Sequence, residues 1–155
     1  MKLLKIVTIV LISIASVKAD ARMRDQWVVG FGQGILEYSN YLDNEDQTKI
    51  VFSDASNAEV DGRVEIFLTI DGISPLPNVT VRFLIDGSII EMNDDGKGSL
   101  ATDCHTCAVN FDGLWRLIRS GTGLIVEFEN KRASFSLKGS ARVLPSAPPL
   151  ANFYR

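Results

Sequence analysis

Alternation of apolar and polar positions runs through most of this chain. Val64, Ile66, Leu68 and Ile70 interleave with Arg63, Glu65, Phe67 and Thr69. Val79, Val81, Phe83 and Ile85 repeat the pattern, as do Leu124, Val126 and Phe128 and then Ala133, Phe135 and Leu137. Successive side chains of a strand point to opposite faces, so a period of two predicts half-buried strands. Shorter runs at 27–31, 35–42, 49–53 and 88–92 predict further strands, and 99–102 can lead as a strand into Cys104. Asp86-Gly87 between apolar runs is a strong hairpin signal. Asp43-Asn44-Glu45-Asp46 reads as a solvated turn, since it lacks the spaced ligands of a calcium loop. Gly30, Gly32 and Gly34 resemble a phosphate-cradling loop only in glycine count and read as a bend in a strand.

One stretch changes period. Phe111, Leu114, Trp115 and Ile118 fall at i, i+3, i+4 and i+7, which predicts an amphipathic helix over 111–120. Asn110 is the expected N-cap and Gly121 the expected residue past the C-terminus. Asp112 and Arg116 are spaced to pair across one turn. The stripe is expected to pack on the Leu124–Lys138 hairpin. Eight or so short strands with one short helix predict a mainly β, antiparallel sandwich or barrel.

The ends of the chain read differently. Lys2 and Lys5 precede an apolar run from Ile6 to Ala15, and Val17-Lys18-Ala19 suits a cleavage site. Residues 1–19 are therefore expected to be a secretory signal peptide of bacterial type, followed by a β-sandwich domain over 20–144. Three of the five prolines lie at 145–155, which predicts an extended, weakly ordered tail. Cleavage after Ala19 would leave 136 of the 155 residues, a chain large enough for one cored domain. It would also remove three lysines, leaving 13 basic and 19 acidic residues. That net charge of −6 argues against nucleic acid and anionic membrane as partners, and no stable membrane insertion is expected after cleavage. The expected location is the periplasm, with release outside the cell as an extension.

Candidate chemistry is sparse. The two cysteines, Cys104 and Cys107, flank the one histidine, His105. In an oxidising compartment a local disulfide is the default, and closing so short a loop contributes about 2 kcal/mol. A metal site is not expected, because these three residues cannot supply a tetrahedral set alone. A thiol–disulfide oxidoreductase site needs its first cysteine at a helix N-terminus in a thioredoxin-like fold. A helix starting at Phe111 leaves Cys107 several residues short of that position, so redox catalysis through Cys104 and Cys107 stands as the alternative reading. No catalytic residues and no cofactor are expected. Phe67, Leu84 and Ile125 place apolar side chains on otherwise polar strand faces. They form either a binding surface or a contact with a second layer.

From Ile85-Asp86-Gly87, through the close cysteines, Leu114…Leu117…Arg119-Ser120-Gly121 and Leu124-Ile125-Val126-Glu127-Phe128, to Phe135-Ser136-Leu137-Lys138-Gly139, the order and spacing resemble the C-terminal half of the invasion-associated locus B family. The resemblance spans about 55 residues. It implies an exported β-sandwich-like protein without enzymatic activity and supplies no catalytic residues. The further cysteine pair of that family's N-terminal half is absent here. The expectation is an exported, non-enzymatic binding protein whose partner is an envelope or host protein. A carrier that uses the sandwich interior is a third reading.

Overall fold

The computed structural model describes residues 24–32, 34–55 and 63–154; the expected signal segment lies outside them. Eight antiparallel strands form two four-stranded sheets. The first holds β1 (Trp27–Gly32), β2 (Ile35–Tyr41), β3 (Lys49–Asp54) and β4 (Val64–Thr69) in chain order. The second holds β5 (Thr80–Ile85), β6 (Ser88–Asn93), β7 (Gly123–Phe128) and β8 (Lys131–Ser136) in the order β6-β5-β7-β8. This is the mainly β, two-layer antiparallel architecture that the alternation predicts. Positive φ at both Asp86 (47°) and Gly87 (86°) matches the mirror-image turn that suits a right-twisted hairpin.

The inward-facing residues of both sheets form a single core. Val64, Ile66, Leu68, Val81, Phe83, Ile85, Leu124, Val126 and Phe135 are all buried. Helix α1 (His105–Ser120) adds its apolar stripe, with Phe111, Leu114, Trp115 and Ile118 at 0% exposure. The stripe meets the first sheet: the Trp115 ring stands edge-on to Tyr38 and Phe52, each 5.4 Å away between centroids. Its main aromatic partners are thus Tyr38 and Phe52 rather than the Leu124–Lys138 hairpin. Fully buried Trp115, Phe52, Phe83, Phe111 and Phe135 fill the interior, which works against the carrier reading.

The helix is longer than its apolar stripe. It runs His105–Ser120, with Cys104 as its N-cap. Cysteine is outside the usual capping set, and His, Thr and Val are poor helix formers, so the first turns carry no propensity signal. Asn110 is not the cap; its side-chain amide donates to the Glu91 carbonyl at 2.8 Å and ties the helix to β6. Gly121 caps the far end, but in an extended conformation (φ −81°, ψ 175°) and not the left-handed one expected of a C-terminal glycine. Space dictates glycine there. An added Cβ would lie 2.5 Å from Ile85 Cγ2 and 2.9 Å from the Leu117 carbonyl oxygen.

Two clamps join distant parts of the chain. Asp25 Oδ1 accepts the Ser136 N–H at 2.6 Å, while Trp27 and Asn40 donate to the Ser136 carbonyl at 3.1 and 3.2 Å. The second clamp is the chain end, where Asn152 Oδ1 accepts the Val64 N–H at 2.9 Å and Nδ2 returns a bond to the Val64 carbonyl at 3.0 Å. A side-chain amide thus pairs with the edge of β4 as a neighbouring strand would. Trp115 and Arg119 each donate at 3.0 Å, to the Pro145 and Leu144 carbonyls, and Ala151 is buried. The expected loose tail is therefore a docked one; it follows a short helix α2 (Ser140–Val143) and ends in a 3-10 turn, Asn152–Tyr154. The strand expected over 99–102 reduces to one bridge, Asp94 with Leu100; Leu100 then donates to the Ile66 carbonyl at 3.0 Å.

Candidate functional site

The outer face of the second sheet is ordered in rows by strand register. Arg82 pairs with Glu91 on one side and Glu127 on the other, and Glu127 pairs with Arg132. The charges alternate, and all three cross-strand contacts form ion pairs, with Arg82 3.3 Å from Glu91 and 3.7 Å from Glu127. Each exposed pair contributes little to stability. Together they leave the row nearly neutral.

Two residues along, the same register aligns Ile89, Leu84, Ile125 and Ser134. Leu84 and Ile125, two of the three side chains expected to form a binding surface, therefore lie side by side. Ile89 joins them at 50% exposure. Its role was hidden in the sequence because Ile89 and Ile90 are adjacent, so alternation alone does not tell which faces out. Phe67 does not belong here. It sits on β4 of the first sheet, opposite Val51, where it is half-buried.

Beyond the apolar row the surface sinks into a depression of about 430 Å³, bordered by Leu84, Asp86, Ile89, Gly123, Ile125 and Ser134. Gly123 creates it. This glycine takes an outward position on β7, and a Cβ built there would meet nothing within 4 Å. Asp86 fixes one wall, accepting the Thr122 hydroxyl at 2.7 Å and the Thr122 N–H at 2.9 Å. Those two bonds, hydroxyl first, hold its carboxyl below the usual aspartate value.

A second cluster surrounds the N-terminus of α1. Cys104 and Cys107 stand as a disulfide pair, and the Cys107 N–H points at Cys104 Sγ, 3.1 Å away. Cys104, His105 and Thr106 are exposed. The expectation that the helix begins well past the cysteines is thus corrected: the pair is its first turn. The His105 ring stands edge-on to Phe153 at 5.5 Å, and Phe153 in turn lies 5.2 Å from Tyr154. Both of those aromatics are more than 40% exposed, at 43% and 47%. The tail thus lays an aromatic shelf beside the disulfide, which is a further reason to read it as part of the domain. A polar groove of about 330 Å³ opens next to it, between Arg63, Lys97, Thr102, Asp103 and Asn152.

Among the described residues, no group of three or more His, Cys, Asp or Glu side chains is placed to hold a metal ion. No helix there is long and apolar enough to cross a membrane. The turn at Asp43 is a backbone nest: its carboxylate accepts the N–H groups of Glu45, Gln47 and Thr48 at 3.0, 2.8 and 2.6 Å. Its work is structural, as the sequence suggests.

A family model described as YfjT matches residues 25–144. The chain belongs to the YfjT family. Within this YfjT chain the match takes in all eight strands and both helices, and so the ionic row, the depression and the disulfide. The aromatic shelf at 153 and 154 lies beyond it. No curated protein matches the YfjT chain, and no solved structure matches it.

Proposed function

We propose that this protein is an exported, non-enzymatic β-sandwich module that acts by binding another protein on the outer face of its second sheet. The observation that carries the reading is the pairing of two rows: a self-neutralised ladder, Glu91–Arg82–Glu127–Arg132, beside an apolar row, Ile89–Leu84–Ile125. A nucleic acid or an anionic membrane would require unpaired cations, and here the arginines already face carboxylates. A protein partner suits the surface better. It would place one or two apolar side chains in the depression above Gly123 and meet the polar rim with hydrogen bonds. The charge balance of the chain and the expected signal segment support an envelope or host-facing partner.

Site-specific photo-crosslinking in the producing cell tests this reading. A crosslinking residue at position 89 or 125 should give one discrete adduct, and one at position 67 should not. Gly123→Val, which fills the depression, should remove that adduct. Equal yields from positions 67 and 125, or an adduct indifferent to Gly123→Val, would end this assignment.

A further inference from the structure

The disulfide at the start of α1 has a feature that a simple staple does not need. Cys104 is the N-cap of a 16-residue helix, and its sulfur already faces the N–H of Cys107. The first-turn N–H groups of a helix have no intrahelical acceptor and carry the positive end of its dipole. No acidic residue in the first turn of α1 offsets that field. Reduction would place a Cys104 thiolate where the backbone already provides a donor. Of the ionisable side chains beside it in sequence, Asp103 opposes the thiolate, and the imidazolium form of His105 favours it. Cysteines in such positions ionise more readily than a free thiol, and stabilising the reduced form makes the disulfide a better oxidant.

Access is the second requirement, and it is met independently. Cys104 is an exposed residue while Cys107 is half-buried, which assigns attack to Cys104 and makes Cys107 the leaving group. Beside them lie the Phe153–Tyr154 shelf, held by the Phe153 N–H to the Thr102 carbonyl at 3.0 Å, and the polar groove that runs to Asp103. An extended peptide could lie over these two features with a thiol at Cys104.

We propose that the Cys104–Cys107 pair exchanges electrons with the dithiol of another protein, an activity that does not rest on the binding reading and would replace its non-enzymatic part while leaving the binding surface as it is. A thiolate of that protein attacks Cys104 Sγ. The Cys104–Cys107 bond breaks, Cys107 leaves as a thiolate, and a mixed disulfide forms on Cys104. The partner's second thiolate then attacks its own sulfur in that mixed disulfide. The partner departs oxidised, and Cys104 is released as a thiolate at the helix N-terminus. Two electrons pass to the cysteine pair; the two protons from the partner's thiols go to Cys107 and to solvent. Reoxidation requires a disulfide donor, for which oxidised glutathione serves as the probe.

Two measurements on the folded, full-length protein test the proposal. In the first, the wild type is equilibrated with mixtures of reduced and oxidised glutathione and its free thiols are alkylated and weighed. The reduced fraction should cross one half within the mixtures used. A pair still fully oxidised at the largest excess of reduced glutathione would overturn the proposal. In the second, Cys107→Ser leaves Cys104 alone, and its alkylation by iodoacetamide is timed at pH 6.5 against glutathione. Each unit of pKa depression raises the thiolate fraction about tenfold, and the accompanying loss of nucleophilicity cuts the net gain to roughly threefold. At least a threefold faster reaction is expected; a rate equal to that of glutathione would also overturn it. Should Cys107→Ser not fold, the glutathione equilibrium of the wild type decides alone.

Discussion

Gly121 makes the sharpest test of the packing described here, because two general effects predict opposite signs for Gly121→Ala. At an ordinary negative φ, replacing glycine by alanine stabilises by about 0.4–1 kcal/mol, since the unfolded chain loses freedom. The φ of −81° permits alanine. The new methyl, however, would stand 2.5 Å from Ile85 Cγ2, 2.9 Å from the Leu117 carbonyl oxygen and 3.0 Å from Leu137 Cδ1. The first and last are buried side chains with little room to move, and the carbonyl is already bonded to the Gly121 N–H at 2.8 Å. Overpacking of this kind costs about 1–3 kcal/mol. The clash wins, and the expected net loss is about 1–2 kcal/mol. For a domain near this size that lowers the melting midpoint by about 2–8 °C. Urea unfolding followed by tryptophan fluorescence measures it directly, because Trp115 lies in the same core. A double-mutant cycle with Ile85→Leu, which moves the branch methyl away, should recover part of the loss. A Gly121→Ala protein as stable as the wild type, or more so, would refute the steric account.

Gly123→Ala, two residues on, is expected to behave oppositely: nothing lies within 4 Å of its Cβ, so the midpoint should rise, by about 0.4–1 kcal/mol in stability. A fall in the urea midpoint would show that the depression is not open. Asn152→Ala removes both bonds to Val64 and should cost about 1–2 kcal/mol; hydrogen exchange at the Val64 amide should speed up with it. Asp43→Ala should cost about 1 kcal/mol in thermal unfolding, because the turn's N–H donors lose their acceptor. Burial works against the Asp43 charge, but the N–H groups of Gln47, Thr48 and Glu45 together with the Thr48 hydroxyl outweigh it, so the folded carboxyl titrates below its ordinary 3.8. Its contribution is therefore complete above that value and is lost as pH falls through the lower, folded one. Acid unfolding of Asp43→Ala should accordingly converge on that of the wild type only below about pH 3.8.

The strands were legible because one face of each is buried and the other is not, so Val64, Ile66 and Leu68, or Leu124, Val126 and Phe128, mark the inside directly. The same logic found the helix stripe at Phe111, Leu114, Trp115 and Ile118. It missed the turns before Phe111, where the only determinant is a cysteine acting as a cap. It placed Gly121 at the helix end correctly but not its conformation, since glycine past a helix signals a left-handed residue and gives no warning of a crowded neighbour. The candidate surface was half legible. Leu84 and Ile125 stand out as apolar residues on polar faces, but only strand register reveals that they are neighbours, that Ile89 completes the row, and that Phe67 belongs elsewhere. The docking of the tail was invisible for the same reason. Asn152 acts on Val64, 88 residues away, and no local pattern encodes that.

Each sheet is drawn from one continuous half of the chain, residues 27–69 and 80–136, and the chain passes between them once. All strand pairings are therefore settled within a half. What joins the halves is side-chain packing, the Leu100 N–H bond to the Ile66 carbonyl and the clamps on Ser136 and Val64. Such a molecule can form each sheet as a separate event and assemble them afterwards, and the single passage at 70–79, with its two prolines, is the natural hinge. The same arrangement lets two chains trade halves. At high concentration a first sheet from one molecule can close on a second sheet from another, reproducing every native contact outside the hinge.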